Sequence, residues 1–151
     1  MNIKQLITAL PAVGVLLLAA CASAPPKHPA YLHALTDLRA ARWNLEHRPG
    51  DAAVSGQEDV AITEVDRAIN EARRAAAEDG QNTEYHPPAD ANLNRAGRLH
   101  HADEFLRKAK GDVAREEDNP EARDLRRAVV MHIDAAIGAT DRAIRAVEMG
   151  R

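Results

Sequence analysis

A spacing narrows the fold more than any other feature of this chain. From Pro29 onward, apolar residues recur at intervals of three and four, in four stretches separated by proline, glycine and polar residues. That period puts them on one stripe of an α-helix, whereas a half-buried strand needs strict alternation. The first stretch, residues 29–47, carries Tyr31, Ala34, Leu35, Leu38, Ala41 and Leu45. Pro29 suits a first helical turn, and Pro49-Gly50 stops the helix. The second, residues 56–79, carries Ala61, Val65, Ala68, Ile69, Ala72 and Ala76. Ser55 with Glu58 has capping-box spacing, and Gly80 is a C-terminal stop. Its opposite face carries Glu64, Arg67, Glu71, Arg74 and Glu78, spaced for pairing along a solvated surface.

After the polar stretch 81–88, a third helix is predicted over residues 90–117, with Ala102, Phe105, Leu106, Ala109 and Val113 on its stripe. Asn119-Pro120 offers an N-cap and a first-turn proline for a fourth, residues 120–149, which presents Leu125, Val129, His132, Ala136, Ala143, Ile144 and Val147. The expected fold is therefore all-α, an antiparallel up-down four-helix bundle over residues 29–151. In that up-down-up-down order the first and third helices lie on a diagonal.

A weak repeat runs through the helices. His33-Ala34, Leu38-Arg39 and Ala41-Arg42 align with His101-Ala102, Leu106-Arg107 and Ala109-Lys110 at an offset of 68. Asp66-Arg67-Ala68-Ile69 reappears as Asp141-Arg142-Ala143-Ile144 at an offset of 75, one heptad more. A heptad keeps a helical face in register, so the reading pairs helix one with three and two with four. Chance likeness among Ala- and Arg-rich helices is the competing reading.

Residues 1–20 have a different character. Lys4 supplies a positive start, and residues 6–20 form an apolar run containing Leu10, Val13, Val15, Leu16, Leu17 and Leu18. The run is shorter than the roughly 20 residues that span a bilayer, and has the size of a signal-peptide core. It closes on Leu18-Ala19-Ala20-Cys21, and Cys21 is the one cysteine of the chain. This motif resembles the lipobox of bacterial lipoproteins, an aliphatic residue and two small ones before the cysteine that is lipidated. The resemblance implies a signal peptide over 1–20, cleavage before Cys21, and lipidation of Cys21, a palmitate-type anchor. Residues 21–28 then form a short proline-containing tether. Two or three acyl chains give stable membrane attachment, each buried methylene contributing about 0.8 kcal/mol. Ala22 follows the cysteine, and by resemblance to the enterobacterial sorting rule a residue other than Asp there points to the outer membrane, facing the periplasm. An ordinary secretory signal with a chance cysteine is the alternative.

Composition removes several function classes. The net charge is −3 and aromatics are 3% of the chain, so there is neither excess positive charge for phosphates nor stacking surface for bases, and no nucleic-acid partner is expected. A lone cysteine allows no intramolecular disulfide, no C-x-x-C-H haem attachment and no cysteine-rich zinc site. Beyond the signal, the only serines are Ser23 in the tether and Ser55 at a cap; no G-x-S-x-G and no phosphate-cradling glycine loop occurs. Glu116-Glu117-Asp118 reads as a helix-end charge cluster. The chain is expected to be non-enzymatic, with no cofactor.

The 7 histidines carry the remaining chemistry. None has a Glu three residues before it, so the Glu-x-x-His signature of di-iron bundles is missing, as is H-E-x-x-H. His100 and His101 stand four and three residues before Glu104, and each pair could grip a metal from one helix face; an exposed polar face is the competing reading. His132 lies on an apolar stripe, where a buried imidazole requires a hydrogen-bond partner. A haem held by His132 with Met131 or Met149 is disfavoured, because neither methionine is well placed on that stripe. The segment His132-Ile133-Asp134-Ala135-Ala136-Ile137 gives the mature part a faint similarity to exported small metal-binding four-helix-bundle proteins. That similarity implies Cu, Zn or Ni bound weakly by His100, His101, Glu104, His132 and His33. Two functions are thus expected: a tethered helical module that binds an envelope protein partner or supports the envelope, and, as the alternative, a weak periplasmic divalent-metal binder.

Overall fold

The computed structural model describes residues 29–47, 56–95, 97–115 and 122–150. The signal, the lipobox, the tether, Ser55, the 116–118 acidic run and Asn119-Pro120 lie outside the described residues. The described chain is all-helical, with α1 (Ala30–Glu46), α2 (Gln57–Glu78), α3 (Arg98–Arg115) and α4 (Arg123–Met149).

The predicted stripes form the core. Tyr31, Ala34, Leu35, Leu38, Ala41 and Leu45 of α1 are all buried, as are Ala61, Val65, Ala68, Ala72 and Ala76 of α2. Bulk is unevenly shared: α1 contributes four leucines, whereas α2 contributes mostly alanines. Small residues let helix axes approach closely, and large ones on the facing helix fill what remains. The outer face of α2 pairs as expected, Arg67 with Glu64 and Arg74 with Glu71. The end of α2 follows the expected glycine stop. Gly80 adopts φ 67, its N–H bonds Ala77 O at 2.9 Å, and the Gln81 N–H reaches Ala76 O at 2.9 Å, a Schellman arrangement.

The third helix begins at Arg98, later than the predicted Asp90. Gly97 sits at φ 104, outside any right-handed helix, and residues 90–94 are irregular. The Glu104 carboxylate accepts the backbone N–H groups of Asn94 (2.9 Å) and Arg95 (3.2 Å), which are thereby satisfied without a helix.

Helix order around the bundle also departs from expectation. α1 packs on α2 and α3, and α4 packs on the same two, with no α1–α4 or α2–α3 packing among the described residues. Neighbours are antiparallel, as their cross-links reveal. Arg98, at the start of α3, donates to Leu45 O at the end of α1, while Lys108 lies 4.0 Å from Asp37. Between α2 and α4, Gln57 meets Arg142 and Glu64 meets His132. Helices one and three are therefore neighbours rather than diagonal partners, and α2 and α3 run in the same direction. The chain must return along the bundle between them, and residues 79–95 do so. A helix of 22 residues is about 33 Å long. The crossover covers α1 and α3 on its way: Arg39 contacts His86 at 2.8 Å, and Pro87 and Ala91 are turned inward.

Candidate functional site: a carboxylate cluster beneath the crossover

Because α1 and α3 pack antiparallel, polar residues set into their apolar stripes meet. On α1, His33 and Asp37 are one turn apart; on α3, Lys108 and Asp112 are one turn apart. The crossover adds Asp90. One carboxylate oxygen from each of Asp37, Asp90 and Asp112 lies within 4.8 Å of the other two. Lys108 stands among them, with Nζ 2.8 Å from Asp90 Oδ1, 2.7 Å from Asp112 Oδ2 and 4.0 Å from Asp37 Oδ2. Arg115 approaches Asp112 from the rim at 3.6 Å.

The three acids differ sharply in environment. Asp90 is half exposed and its hydrogen bond from Lys108 holds its carboxyl below the usual range. Asp37 is fully buried, and neither of its oxygens completes a hydrogen bond of ordinary geometry. Burial pushes its pKa up to about 7; Lys108 and the nearby Asp90 backbone N–H offset part of that, while the charges of Asp90 and Asp112 add to it. Burial works against the charge on Lys108, but its hydrogen bonds to Asp112 and Asp90 prevail and its pKa lies above the ordinary lysine value. One ammonium thus faces three carboxylates and hydrogen-bonds one oxygen of each of two.

Two further ionic groups fix the fold around this cluster. At the other end of α1, Glu58 is fully buried and receives both an Arg98 guanidinium at 3.1 Å and its charge; Arg98 also donates to Leu45 O. Asp103, buried on α3, takes Arg95 at 2.7 Å and Arg107 at 2.9 Å, tying the end of the crossover to the helix.

The residues singled out from sequence are dispersed. Glu104 is engaged by the crossover backbone and by Arg95. His100 and His101 are partly buried on α3, and His100 Nδ1 is enclosed without a hydrogen-bond partner. His132 sits at the margin of the core and has the partner its position demands: Nδ1 lies 2.7 Å from Glu64 Oε2 on α2. Met131 and Met149 are exposed. His33 lies close enough to Asp90 to influence its ionisation, and His33 Nδ1 is enclosed without a partner. Among the described residues, the convergence of three or more metal-ligand groups is Asp37, Asp90 and Asp112, a set that a search among histidines overlooks. Its legible signal was Asp37, a carboxylate between Leu35 and Leu38 on an otherwise apolar stripe.

The chain matches no protein-family model, no curated protein and no solved structure.

Proposed function

We propose that this protein is a non-enzymatic helical module of the bacterial cell envelope, tethered by lipid on Cys21 to the outer membrane, facing the periplasm, and engaging a protein partner there. The observation that carries this reading is the motif Leu18-Ala19-Ala20-Cys21, which places the chain's one cysteine at the end of its one long apolar run. The helical body supports it. Its charged side chains are largely turned on one another, Arg42 on Asp66, Arg95 and Arg107 on Asp103, Lys110 on Asp134, which suits a rigid body presented from a membrane anchor. No described helix is long and apolar enough to cross a membrane.

Metabolic labelling with palmitate tests the anchor. The expected result is label on the wild-type chain, loss of label in Cys21→Ser, and accumulation of the unprocessed form with the signal peptidase inhibitor globomycin. A Cys21→Ser chain that still takes up label, or a wild-type chain that partitions entirely into the aqueous phase, overturns the reading. Cross-linking in intact envelopes then identifies the partner.

A further inference from the structure

We propose that Asp37, Asp90 and Asp112 form a site for a hard divalent cation, of the magnesium, calcium or manganese class, and that Lys108 is an internal cation which the metal displaces.

Three observations converge on it. The acids come from three separate segments, α1, the crossover and α3, and one oxygen from each lies within 4.8 Å of the other two. That spread is within reach of the opposed ligands of one six-coordinate ion, given small side-chain adjustments. The second observation is independent of the clustering. Asp37 is fully buried, yet neither of its oxygens completes a hydrogen bond of ordinary geometry, and one of them lies within 4.8 Å of an oxygen of each of the other two acids. Buried carboxylate oxygens are nearly always satisfied, and an orphaned pair calls for an explanation such as an ion. The third is charge. Lys108 gives short contacts to Asp90 and Asp112 but stays 4.0 Å from Asp37, and Arg115 reaches only Asp112, so Asp37 has no cation at hydrogen-bond distance. A divalent ion supplies the charge and reaches all three.

Donor chemistry selects the class of ion. Carboxylates and water suit magnesium, calcium and manganese, and Mn²⁺ is the member of that class whose binding paramagnetic resonance reads directly. Lys108 is a quarter exposed and sits on a flexible stem, so its ammonium can leave for solvent without moving α3.

The experiment uses the full chain in detergent, stripped with a chelator and titrated with Mn²⁺ alone. The loss of the free-ion paramagnetic resonance signal reads binding, and the melting temperature reads linkage to the folded state. The expected result is saturable binding of one equivalent with a rise in melting temperature. Lys108→Met removes the competing charge, and is expected to bind Mn²⁺ at least about tenfold more tightly, a difference of about 1.4 kcal/mol. The near-isosteric Asp37→Asn and Asp112→Asn variants are expected each to weaken binding at least tenfold. If neither the wild type nor Lys108→Met binds saturably, the proposal is wrong. Binding that persists unchanged in an Asp37→Asn/Asp112→Asn double variant overturns it equally. Helical circular dichroism of every variant establishes that a loss of binding is not a loss of fold.

Discussion

The α1–α2 hairpin and the α3–α4 hairpin bury their chains in one pattern and differ in what they place there. At an offset of 68, buried Ala34, Leu38 and Ala41 of α1 fall on buried Ala102, Leu106 and Ala109 of α3. At an offset of 75, buried Ala61 and Ala68 of α2 fall on buried Ala136 and Ala143 of α4. The contacts have the same symmetry: α1 lies antiparallel against α3, and α2 against α4, as a pseudo-twofold between hairpins requires. The long crossover follows from that symmetry, because equivalent helices that pack antiparallel leave the end of α2 far from the start of α3. The differences are concentrated in polarity. Asp37 takes the place of Phe105, Asn44 that of Asp112, and Leu35 that of Asp103. Glu58 takes the place of Ile133. The shared positions make the bundle; the divergent ones make its buried ionic clusters.

That contrast predicts where substitution hurts most. Arg98→Met leaves the fully buried Glu58 carboxylate without its main cation, and losing one partner of a buried pair costs about 3–5 kcal/mol. The repeat supplies the repair. Glu58→Ile, which copies Ile133, added to Arg98→Met is expected to recover most of the loss, since hydrophobic replacement of a buried pair is often neutral or stabilising. Urea unfolding of the single and double variants measures both. A double variant as unstable as the single one breaks the equivalence of Glu58 and Ile133.

Next in size are Leu38→Ala and Leu106→Ala, both fully buried and equivalent in the two hairpins. Each is expected to cost about 3 kcal/mol, with the pair agreeing within about 1 kcal/mol. A wide disagreement would mean that the two sites pack differently despite their shared burial.

The third prediction concerns pH, in chelator-treated protein. The groups acting on Asp37 are Lys108, Asp90 and Asp112. Its folded pKa, about 7, lies above the ordinary 3.8, so the folded protein retains a proton that the unfolded chain releases. The contribution of Asp37 is therefore most favourable below the ordinary value and is lost as pH rises toward and through 7. Asp37→Asn is expected to remove this slope and to unfold later than the wild type at pH 8, by a difference on the order of 2 kcal/mol. Denaturant midpoints at acid and alkaline pH check the sign, and an unchanged slope in the variant rejects the assignment.

These contrasts also explain which parts of the molecule were legible in the sequence. Apolar period located α1, α2 and α4 to within a few residues, because burial of a stripe is what determines a helix in a bundle. The start of α3 was misplaced because the helix was begun directly after the polar stretch, while the deciding features are Gly97 and the reach of Glu104 back to the crossover amides. Helix order was illegible to period alone, which says which face is buried and not against what; the repeat held the clue, since two related hairpins can pack about a twofold. The acidic cluster was missed because its members are far apart in sequence; Asp37 stood out on an apolar stripe, but nothing in the period says that Asp90 and Asp112 meet it. His132 was read more closely: a histidine on a stripe demanded a partner, and Glu64 provides it.

The smallest expected effects discriminate most finely between the hairpins. Asp66 and Asp141 are equivalent by sequence, and each faces an arginine from the neighbouring helix. The pairs are not alike. Arg42 Nε lies 2.5 Å from Asp66, whereas Arg107 is 3.5 Å from Asp141 and already held by Asp103 at 2.9 Å. Both aspartates are substantially solvated, so each pair contributes about 1 kcal/mol or less and fades with salt. Asp66→Asn is therefore expected to lower the unfolding midpoint slightly at low ionic strength, and Asp141→Asn to leave it almost unchanged, with the two converging at high salt. Equal losses at low salt would show that Arg107 depends on Asp141 as Arg42 does on Asp66, and that the outer charges of the two hairpins have kept the likeness that their buried ones lost.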